Sequence, residues 1–157
     1  MTTPLPAGQR DTGTFHRFGL TQFADRFPAN AREPSLEIIG RVENRLTLAD
    51  ALQGLPRTAQ VSDFHCVTTW SVRGLHWEGV RFADFYARVI EPQVRPDPRA
   101  TLLALRGQDG ARSALPLEDL LASDVLLADR LNGEPLPVDH GAPLRLVAPA
   151  HYGYKSV

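Results

Sequence analysis

Cysteine and lysine are almost absent from this chain of 157 residues, which contains one of each. A single cysteine cannot form an internal disulfide bond, and this excludes a small secreted fold held together by several such bonds. Every basic residue other than Lys155 is an arginine. Because the chain uses arginine everywhere else, its one lysine indicates a specific role.

An excess of charge of either sign is also absent, because 17 basic and 18 acidic residues nearly cancel. Without a global positive field or a local basic run, neither nucleic acid nor a membrane surface is expected as a partner. No stretch has the roughly 20 apolar residues of a transmembrane helix. Residues 1–30 contain neither a twin arginine nor the apolar segment of an export signal. We therefore expect no membrane insertion and a cytoplasmic location, while the oligomeric state stays open.

The length of the chain suits one domain with a core of its own. Residues 1–14 combine prolines, glycines and threonines without apolar periodicity, which predicts a flexible N-terminal arm. The domain itself is expected over residues 15–157. Short β-branched runs alternate with a few helical patterns and many prolines, so the predicted fold class is α+β, a mixed β-sheet core with short helices.

Local patterns predict the elements of that fold. Runs of β-branched and apolar residues predict strands at 36–42, 60–70, 101–106, 111–115, 125–131 and 144–148. Helical spacing or capping predicts helices at 48–52, 82–90 and 116–122. Turns or loops are expected at 73–75, at the proline-rich residues 91–99, and at the hairpin dipeptides Asp109-Gly110 and Asn132-Gly133.

The single cysteine lies in the run D-F-H-C-V-T-T-W-S at residues 63–71. This apolar, β-branched and aromatic run predicts a buried strand that ends in a site. Composition alone favours Cys66 as a small, inert core residue, because free cysteine is among the most buried residue types. A reactive or metal-binding thiol is the alternative.

Further motifs favour that alternative. Downstream of the cysteine run come W-E-G-V at residues 77–80, D-H-G-A-P-L-R-L-V at 139–147 and Y-G-Y-K-S at 152–156. In this order the motifs resemble the molybdopterin domain of the sulfite oxidase family, above all its small bacterial members and the catalytic subunits of methionine sulfoxide reductase. The likeness covers about residues 15–157 and implies the fold of that domain and a molybdenum-bearing molybdopterin cofactor.

The resemblance also assigns roles to individual residues. In that family the cysteine of H-C-V-T-x-W-S is the one protein ligand of molybdenum, which implies that Cys66 is both the metal ligand and the catalytic residue. A soft thiolate suits a high-valent metal and is deprotonated by it. Cys66→Ser is therefore expected to remove activity and most of the metal while leaving the fold.

The other end of the cofactor is a phosphate or a diphosphate, which requires cationic donors or clustered amides when it is buried. The resemblance implies that His140 and Arg145 hold it together with the backbone around Lys155-Ser156-Val157. It also places His16 and Arg17 in a segment that lies over the pterin. The alternatives are a solvent-facing strand arginine, a turn histidine, and a solvated lead-in to the domain.

Two departures from the family pattern bear on activity. The pattern continues as K-S-x-K, whereas this sequence stops at Val157, one position before the second lysine, so either the sequence is cut or the residue is missing. Sulfite-oxidising members follow the cysteine with glycine and arginine, but this chain has Val67, Thr68 and Thr69. A neutral oxygen donor such as a sulfoxide is therefore as good a candidate substrate as sulfite.

Two functions follow from the sequence. The first is a molybdopterin-dependent oxidoreductase that transfers an oxygen atom to or from a small molecule. Its electrons would pass through a separate protein, because the chain has no haem or flavin motif of its own. The alternative is a non-catalytic domain that keeps the fold but has lost turnover or the cofactor.

Overall fold

The computed structural model describes residues 3–17 and 25–156, and within them the chain forms ten strands, most of them short. In chain order the strands are β1 (Arg10–Asp11), β2 (Leu36–Ile38), β3 (Leu46–Leu48), β4 (Thr58–His65), β5 (Trp70–Arg81), β6 (Leu102–Arg106), β7 (Arg112–Pro116), β8 (Leu126–Leu131), β9 (Glu134–Pro135) and β10 (Arg145–Val147). The helical segments are α1 (Phe82–Phe85), the π-helix Tyr86–Val94 that continues it, α2 (Leu117–Leu120), and the 3-10 turns Val138–His140 and Gly153–Lys155. None of these helices is long and apolar enough to cross a membrane.

The long strand β5 is the centre of a six-stranded mixed sheet. β4 pairs with it antiparallel along one edge. The other edge pairs with β1 in parallel and, further along, with β8 antiparallel. β8 also pairs with β9 and β10, while β2–β3 and β6–β7 form separate two-stranded sheets. The sheet therefore brings β1 and β10, from the two ends of the chain, onto the same framework as the turn between β4 and β5.

The buried side chains form two clusters. One packs the face of α1 and the π-helix, with Phe85 and Val94, against Leu120. The other surrounds Trp77, and the partly buried rings of Phe15, Phe64 and Trp70 pack against it. This second cluster lies under the turn between β4 and β5, and it becomes the floor of the candidate site.

The α+β class predicted from the sequence is confirmed, because the structure is a mixed sheet with few and short helices. The predicted hairpin is present as β6 and β7, joined by a turn in which the Gly110 N–H donates to the Gly107 carbonyl. The strands predicted at 125–131 and 144–148 are present as β8 and β10.

The region around the cysteine differs from the prediction of one strand over 60–70. β4 ends at His65 and β5 begins at Trp70, so Cys66 lies in the turn between them. The prediction was wrong because an apolar run does not reveal a tight turn when no glycine or proline marks it. The turn expected at 73–75 is absent. Gly74 lies inside β5 with a φ of 67°, so here a glycine does not mark a turn.

One helix prediction and one loop prediction were also wrong. Residues 48–52 form no helix, because Leu48 pairs with Leu36 in the β2–β3 sheet and the chain then turns. The helix that begins at Phe82 does not stop before the prolines but continues as a π-helix to Val94. Its apolar face is buried, and this packing outweighs the hydrogen bond that Pro92 cannot donate.

The first residues of the chain lie along the sheet. Arg10–Asp11 pairs in parallel with Trp70 and Ser71 of β5, although both β1 residues are exposed. The flexibility of the arm 1–14 and the domain boundary at residue 15 stay predictions.

Candidate functional site

A tight turn fixes the backbone of Cys66. Its N–H donates to the carbonyl oxygen of Trp70 at 2.8 Å, and its own carbonyl accepts the N–H of Thr69 at 3.1 Å. Thr69 adopts a φ of 73°, a left-handed conformation that is rare for a β-branched residue. We call residues 66–69 the cysteine loop.

Within this loop the thiol faces inward. Cys66 is only 5% exposed, whereas Val67, Thr68 and Thr69 are exposed. The Cys66 sulfur lies 3.1 Å from the hydroxyl oxygen of Thr68, a hydrogen-bonding distance for sulfur. Cys66 is thus buried, while the three residues that follow it are exposed and uncharged.

Four aromatic side chains pack beneath the loop, and we call them the aromatic cluster: Phe15, Phe64, Trp70 and Trp77. The centroid of Phe15 lies 4.8 Å from that of Phe64 and 5.9 Å from that of Trp77. Phe64 and Trp70 flank the cysteine loop on its two sides, with centroids 5.7 Å apart. The indole N–H of Trp77 is buried and has no hydrogen-bond partner among the described residues.

Arg145 enters this cluster from β10. It is 8% exposed, and its guanidinium carbon lies 5.3 Å from the ring centroid of Trp77 and 5.7 Å from that of Phe64. The guanidinium donates to three carbonyl oxygens, those of His140, Leu146 and Ser156. The alternative of a solvent-facing strand arginine does not describe this position.

The electrostatics of Arg145 suit an anion. Burial lowers the pKa of Arg145 to about 10, so the side chain stays cationic at neutral pH. Within residues 3–17 and 25–156, no carboxylate forms an ion pair with it. A guanidinium has five N–H donors, and carbonyl groups engage three nitrogen atoms without neutralising the charge. A buried charge of this kind is stabilised when an anion binds beside it.

His140 lies at the edge of the same cluster. Its ring stacks on Phe15, with the centroids 3.9 Å apart and the planes parallel within 1°. Burial, reinforced by the positive charge of Arg145 and partly opposed by Asp139, lowers the pKa of His140 to about 4. The imidazole is therefore neutral at pH 7 and can both donate and accept a hydrogen bond.

The C-terminal motif is divided between two places. The Ser156 carbonyl accepts from Arg145 at 3.2 Å, and the Ser156 hydroxyl oxygen accepts the N–H of Ala148 at 3.3 Å. The Lys155 ammonium instead donates to the Ala114 carbonyl of β7 at 2.9 Å. The structure thus brings Ser156 to Arg145 and directs the Lys155 side chain towards the β6–β7 hairpin, while Val157 lies outside the described residues.

His16 and Arg17 line the rim of the aromatic cluster. The His16 ring meets Trp70 edge-on with 5.5 Å between centroids. The Arg17 side chain lies 3.6 Å from a carboxylate oxygen of Asp139 and 4.1 Å from the ring centroid of Phe27. Both residues therefore flank the surface between the cysteine loop and His140.

The residues present fit the two ends of a molybdopterin. Cys66 has a free thiol, a soft sulfur of the kind that binds such metals, and the charge of Arg145 lacks a counter-ion among the described residues. The unpartnered N–H of Trp77 is a further donor to which the described protein supplies no acceptor. This donor set matches a ligand that carries both a soft metal and an anionic group.

Sequence reasoning missed parts of this site. Trp77 stands in one of the motifs but was assigned no role, because an unpaired N–H cannot be inferred from sequence. Gln9 was assigned none either, although its side chain donates to the Cys66 carbonyl at 3.0 Å. The two residues are 57 positions apart, and no local signal predicts such a contact.

Comparison with known proteins gives a consistent result. The model of the oxidoreductase molybdopterin-binding domain family matches residues 25–157. The oxidoreductase YuiH of Bacillus subtilis is 37% identical over 123 residues, covering 78% of this chain and 60% of the relative. The methionine-sulfoxide reductase catalytic subunit MsrP of Xanthomonas campestris is 31% identical, covering 78% of this chain and 42% of the relative.

Further matches agree with these. MsrP of Gluconobacter oxydans is 30% identical, covering 91% of this chain and 51% of the relative. Among solved structures, the sulfane dehydrogenase SoxCD of Paracoccus pantotrophus matches with a TM-score of 0.67 at 26% identity, covering 78% of this chain and 35% of that one. This chain spans less than two thirds of the length of each of these proteins.

Proposed function

This chain belongs to the oxidoreductase molybdopterin-binding domain family, and from that membership we propose that it transfers an oxygen atom to or from a small sulfur compound, with Cys66 as the protein ligand of molybdenum. The resemblance of its motifs to the sulfite oxidase family is confirmed, as are the fold and the molybdopterin cofactor. The identity of the metal ligand, the substrate and the reaction are the proposal.

One observation carries it. Cys66, with its buried thiol, follows Phe64 by two positions, and the buried Arg145 guanidinium, without a counter-ion among the described residues, lies 5.7 Å from the ring centroid of Phe64. The guanidinium is not needed for the core, since an apolar side chain would cost less to bury than a charge. A ligand with a soft metal at one end and a phosphate at the other gives each of them a partner.

The residues of the chain divide the work of binding. Cys66 supplies the thiolate, and the cysteine loop orients it through hydrogen bonds to Trp70 and Thr69. Arg145 binds the phosphate, and the carbonyls of His140 and Ser156 keep its guanidinium in place. When bound, the cofactor supplies the metal centre that exchanges one oxygen atom and two electrons with the substrate.

The residues at the rim of the site shield the pterin from water and influence which substrate reaches the metal. The surface over the cluster is bordered by the neutral imidazole of His140 and by His16 and Arg17. There these side chains exclude water from the pterin and offer it hydrogen bonds. Over the thiol, the exposed residues Val67 and Thr68 carry no charge. An uncharged approach suits a neutral sulfoxide better than a dianion, and the MsrP relatives are reductases of protein methionine sulfoxide.

Two associated expectations remain proposals. Electrons would come from a separate electron-transfer protein, because the chain shows no haem or flavin motif. The cytoplasmic location predicted from the sequence is tested by fractionating cells that express the natural gene product.

The test combines metal analysis with a substrate panel. The chain is produced in a host that makes molybdopterin, and we expect about one molybdenum per chain. We also expect sulfoxides to oxidise a reduced dye faster than sulfite reduces an oxidised one. Cys66→Ser is expected to lose the metal and the turnover while keeping its circular dichroism spectrum. A Cys66→Ser protein with full metal and full turnover contradicts the assignment, and a wild-type chain that holds molybdenum without any turnover supports the non-catalytic alternative.

A further inference from the structure

The N-terminal segment 9–12 is hydrogen-bonded to the cysteine loop and to the start of β5. The Arg10 N–H donates to the carbonyl oxygen of Thr69 at 3.1 Å, and the Thr12 N–H donates to that of Ser71 at 3.0 Å. These contacts are the parallel pairing of β1 with β5. They fix the end of the loop at Thr69. The other end, at Cys66, accepts a hydrogen bond from a side chain of the same segment.

That side chain is Gln9. Its amide N–H donates to the Cys66 carbonyl at 3.0 Å, and its amide oxygen accepts the hydroxyl of Ser71 at 2.8 Å. Only one orientation of the amide satisfies both partners, because the reverse would bring two oxygens together at Cys66. The Cys66 carbonyl also accepts the Thr69 N–H, so both of its lone pairs are engaged.

The chain of hydrogen bonds extends to His65. Ser71 is completely buried, and its hydroxyl oxygen lies 2.8 Å from Nδ1 of His65. Since the one hydroxyl hydrogen of Ser71 points to Gln9, the His65 Nδ1 must carry the proton and donate it to Ser71. The hydrogen bonds thus run in one direction, from His65 to Ser71, from Ser71 to Gln9 and from Gln9 to the Cys66 carbonyl.

We propose that Gln9 is a positioning residue for Cys66, holding the loop in the conformation in which the thiolate meets the metal; this rests on the proposed function. The family model begins at residue 25, so the contact comes from outside the matched region. Gln9 acts through the Cys66 carbonyl and does not touch the thiol, which distinguishes its role from that of a ligand.

The first experiment needs no metal. In the full chain freed of cofactor, iodoacetamide reaches the buried Cys66 only when the loop opens, so the alkylation rate at one fixed pH reports opening. Gln9→Met removes both hydrogen bonds at similar length and is expected to raise that rate about tenfold. Gln53→Met makes the same change on an exposed residue and is the matched control. Hydrogen exchange of peptides spanning 64–72 is expected to rise in the same variant.

The second experiment uses the molybdenum-loaded chain. Gln9→Met is expected to shift or broaden the thiolate-to-molybdenum absorption band, while its melting temperature stays close to that of Gln53→Met. A role limited to general stability would lower the melting temperature and leave the band in place. If Gln9→Met does not fold, Gln9→Glu against Gln53→Glu repeats the comparison, because it keeps the acceptor for Ser71 and loses the donor to Cys66.

The outcomes separate the two proposals. Equal alkylation, exchange and absorption in Gln9→Met and Gln53→Met overturn the role of Gln9, whether or not the wild type holds molybdenum. A wild-type chain without molybdenum in which Gln9→Met still reacts faster overturns the proposed function and supports the hold of Gln9 on the loop. Ser71→Ala is expected to act in the same direction, and the double variant to be less than additive.

Discussion

At the scale of single residues, Arg145 carries a charge that is costly to bury. Removing a guanidinium from water is unfavourable, and burial accordingly lowers the pKa of Arg145. Three carbonyl oxygens and two aromatic faces offset part of that cost. They supply no negative charge, and we propose that the side chain binds the anionic group of the cofactor.

Arg145→Met tests that interpretation. Methionine keeps most of the volume and removes the charge, so we expect the cofactor to bind about ten to one hundred times more weakly, the range for losing charged hydrogen bonds. Molybdenum content and phosphorus content of the purified protein measure the loss. Arg112→Met, on the exposed face of β7, is the control. Equal loading of the two variants would contradict the role of Arg145.

His140 predicts a pH dependence of stability. Its pKa is lowered from the ordinary 6.5, which applies to the unfolded chain, to about 4 in the folded chain. Between these values the unfolded chain binds a proton that the folded chain does not. The free energy of unfolding therefore decreases as the pH falls from about 6.5 to about 4, and below that range this residue contributes no further change.

The check for His140 is a series of urea denaturation curves across that pH range. His140→Gln is expected to flatten the dependence, because glutamine does not titrate. His76→Gln, on an exposed position of β5, is the matched control. Identical slopes for wild type and His140→Gln would show that the histidine is as free to protonate in the folded chain as in the unfolded one.

Individual residues were predictable to the extent that a motif names them. Arg145 and His140 meet at one aromatic cluster, and Cys66 follows Phe64 of that cluster by two positions. The role of these three residues in one cofactor site stays a prediction. The direction of the Lys155 side chain was not predictable, since it depends on where the β6–β7 hairpin presents the Ala114 carbonyl. The N–H of Trp77, without a partner among the described residues, is likewise a property of packing.

At the scale of elements, the cysteine loop holds a strained residue. Thr69 has a φ of 73°, which is costly for a β-branched side chain, and such strain concentrates at functional sites. The surrounding hydrogen bonds from Arg10 and to Cys66 hold the conformation in place.

Thr69→Gly is therefore expected to be tolerated or to stabilise the chain by up to about 1 kcal/mol, because glycine adopts positive φ without strain. The same substitution at Thr47, in regular β3, is expected to destabilise by about 1 kcal/mol. Chemical denaturation of the two variants measures the difference. A Thr69→Gly protein destabilised as much as Thr47→Gly would show that the loop is unstrained at this residue.

Elements with local signals were predictable, and those decided by distant contacts were not. An Asp-Gly turn between two apolar runs predicts the β6–β7 hairpin correctly. The cysteine loop has no such marker, and its turn forms because Trp70 and Ser71 pair with β4 and β1. The helical pattern at 48–52 failed because pairing of Leu48 with Leu36 overrides a weak local preference.

At the scale of the whole molecule, the cofactor is expected to stabilise the fold. A ligand that binds only the folded chain adds about 4 kcal/mol when its concentration is a thousand times its dissociation constant. For a domain of this size, that raises the melting temperature by roughly 10 °C. Calorimetry of loaded and cofactor-free protein measures the shift, and a cofactor-loaded chain that melts with the free one would contradict binding in the folded core.

The overall architecture was predictable because four ordered motifs, spread between residues 63 and 156, imply a known domain. The parallel pairing of β1 with β5 was not, since residues 3–14 have no periodicity and join the sheet only through long-range hydrogen bonds. The motifs are enough to identify the domain, whereas the contacts of residues 9–12 can be learned only from the structure.

The site draws on distant parts of the polypeptide: Gln9 near its start, Cys66 in the middle and Ser156 close to residue 157. During translation these parts leave the ribosome at different times, and Arg145 has no Ser156 carbonyl to bind until residue 156 has emerged. Insertion of the prosthetic group is therefore expected only after that point, and a stalled nascent chain that ends before residue 145 is expected to remain empty.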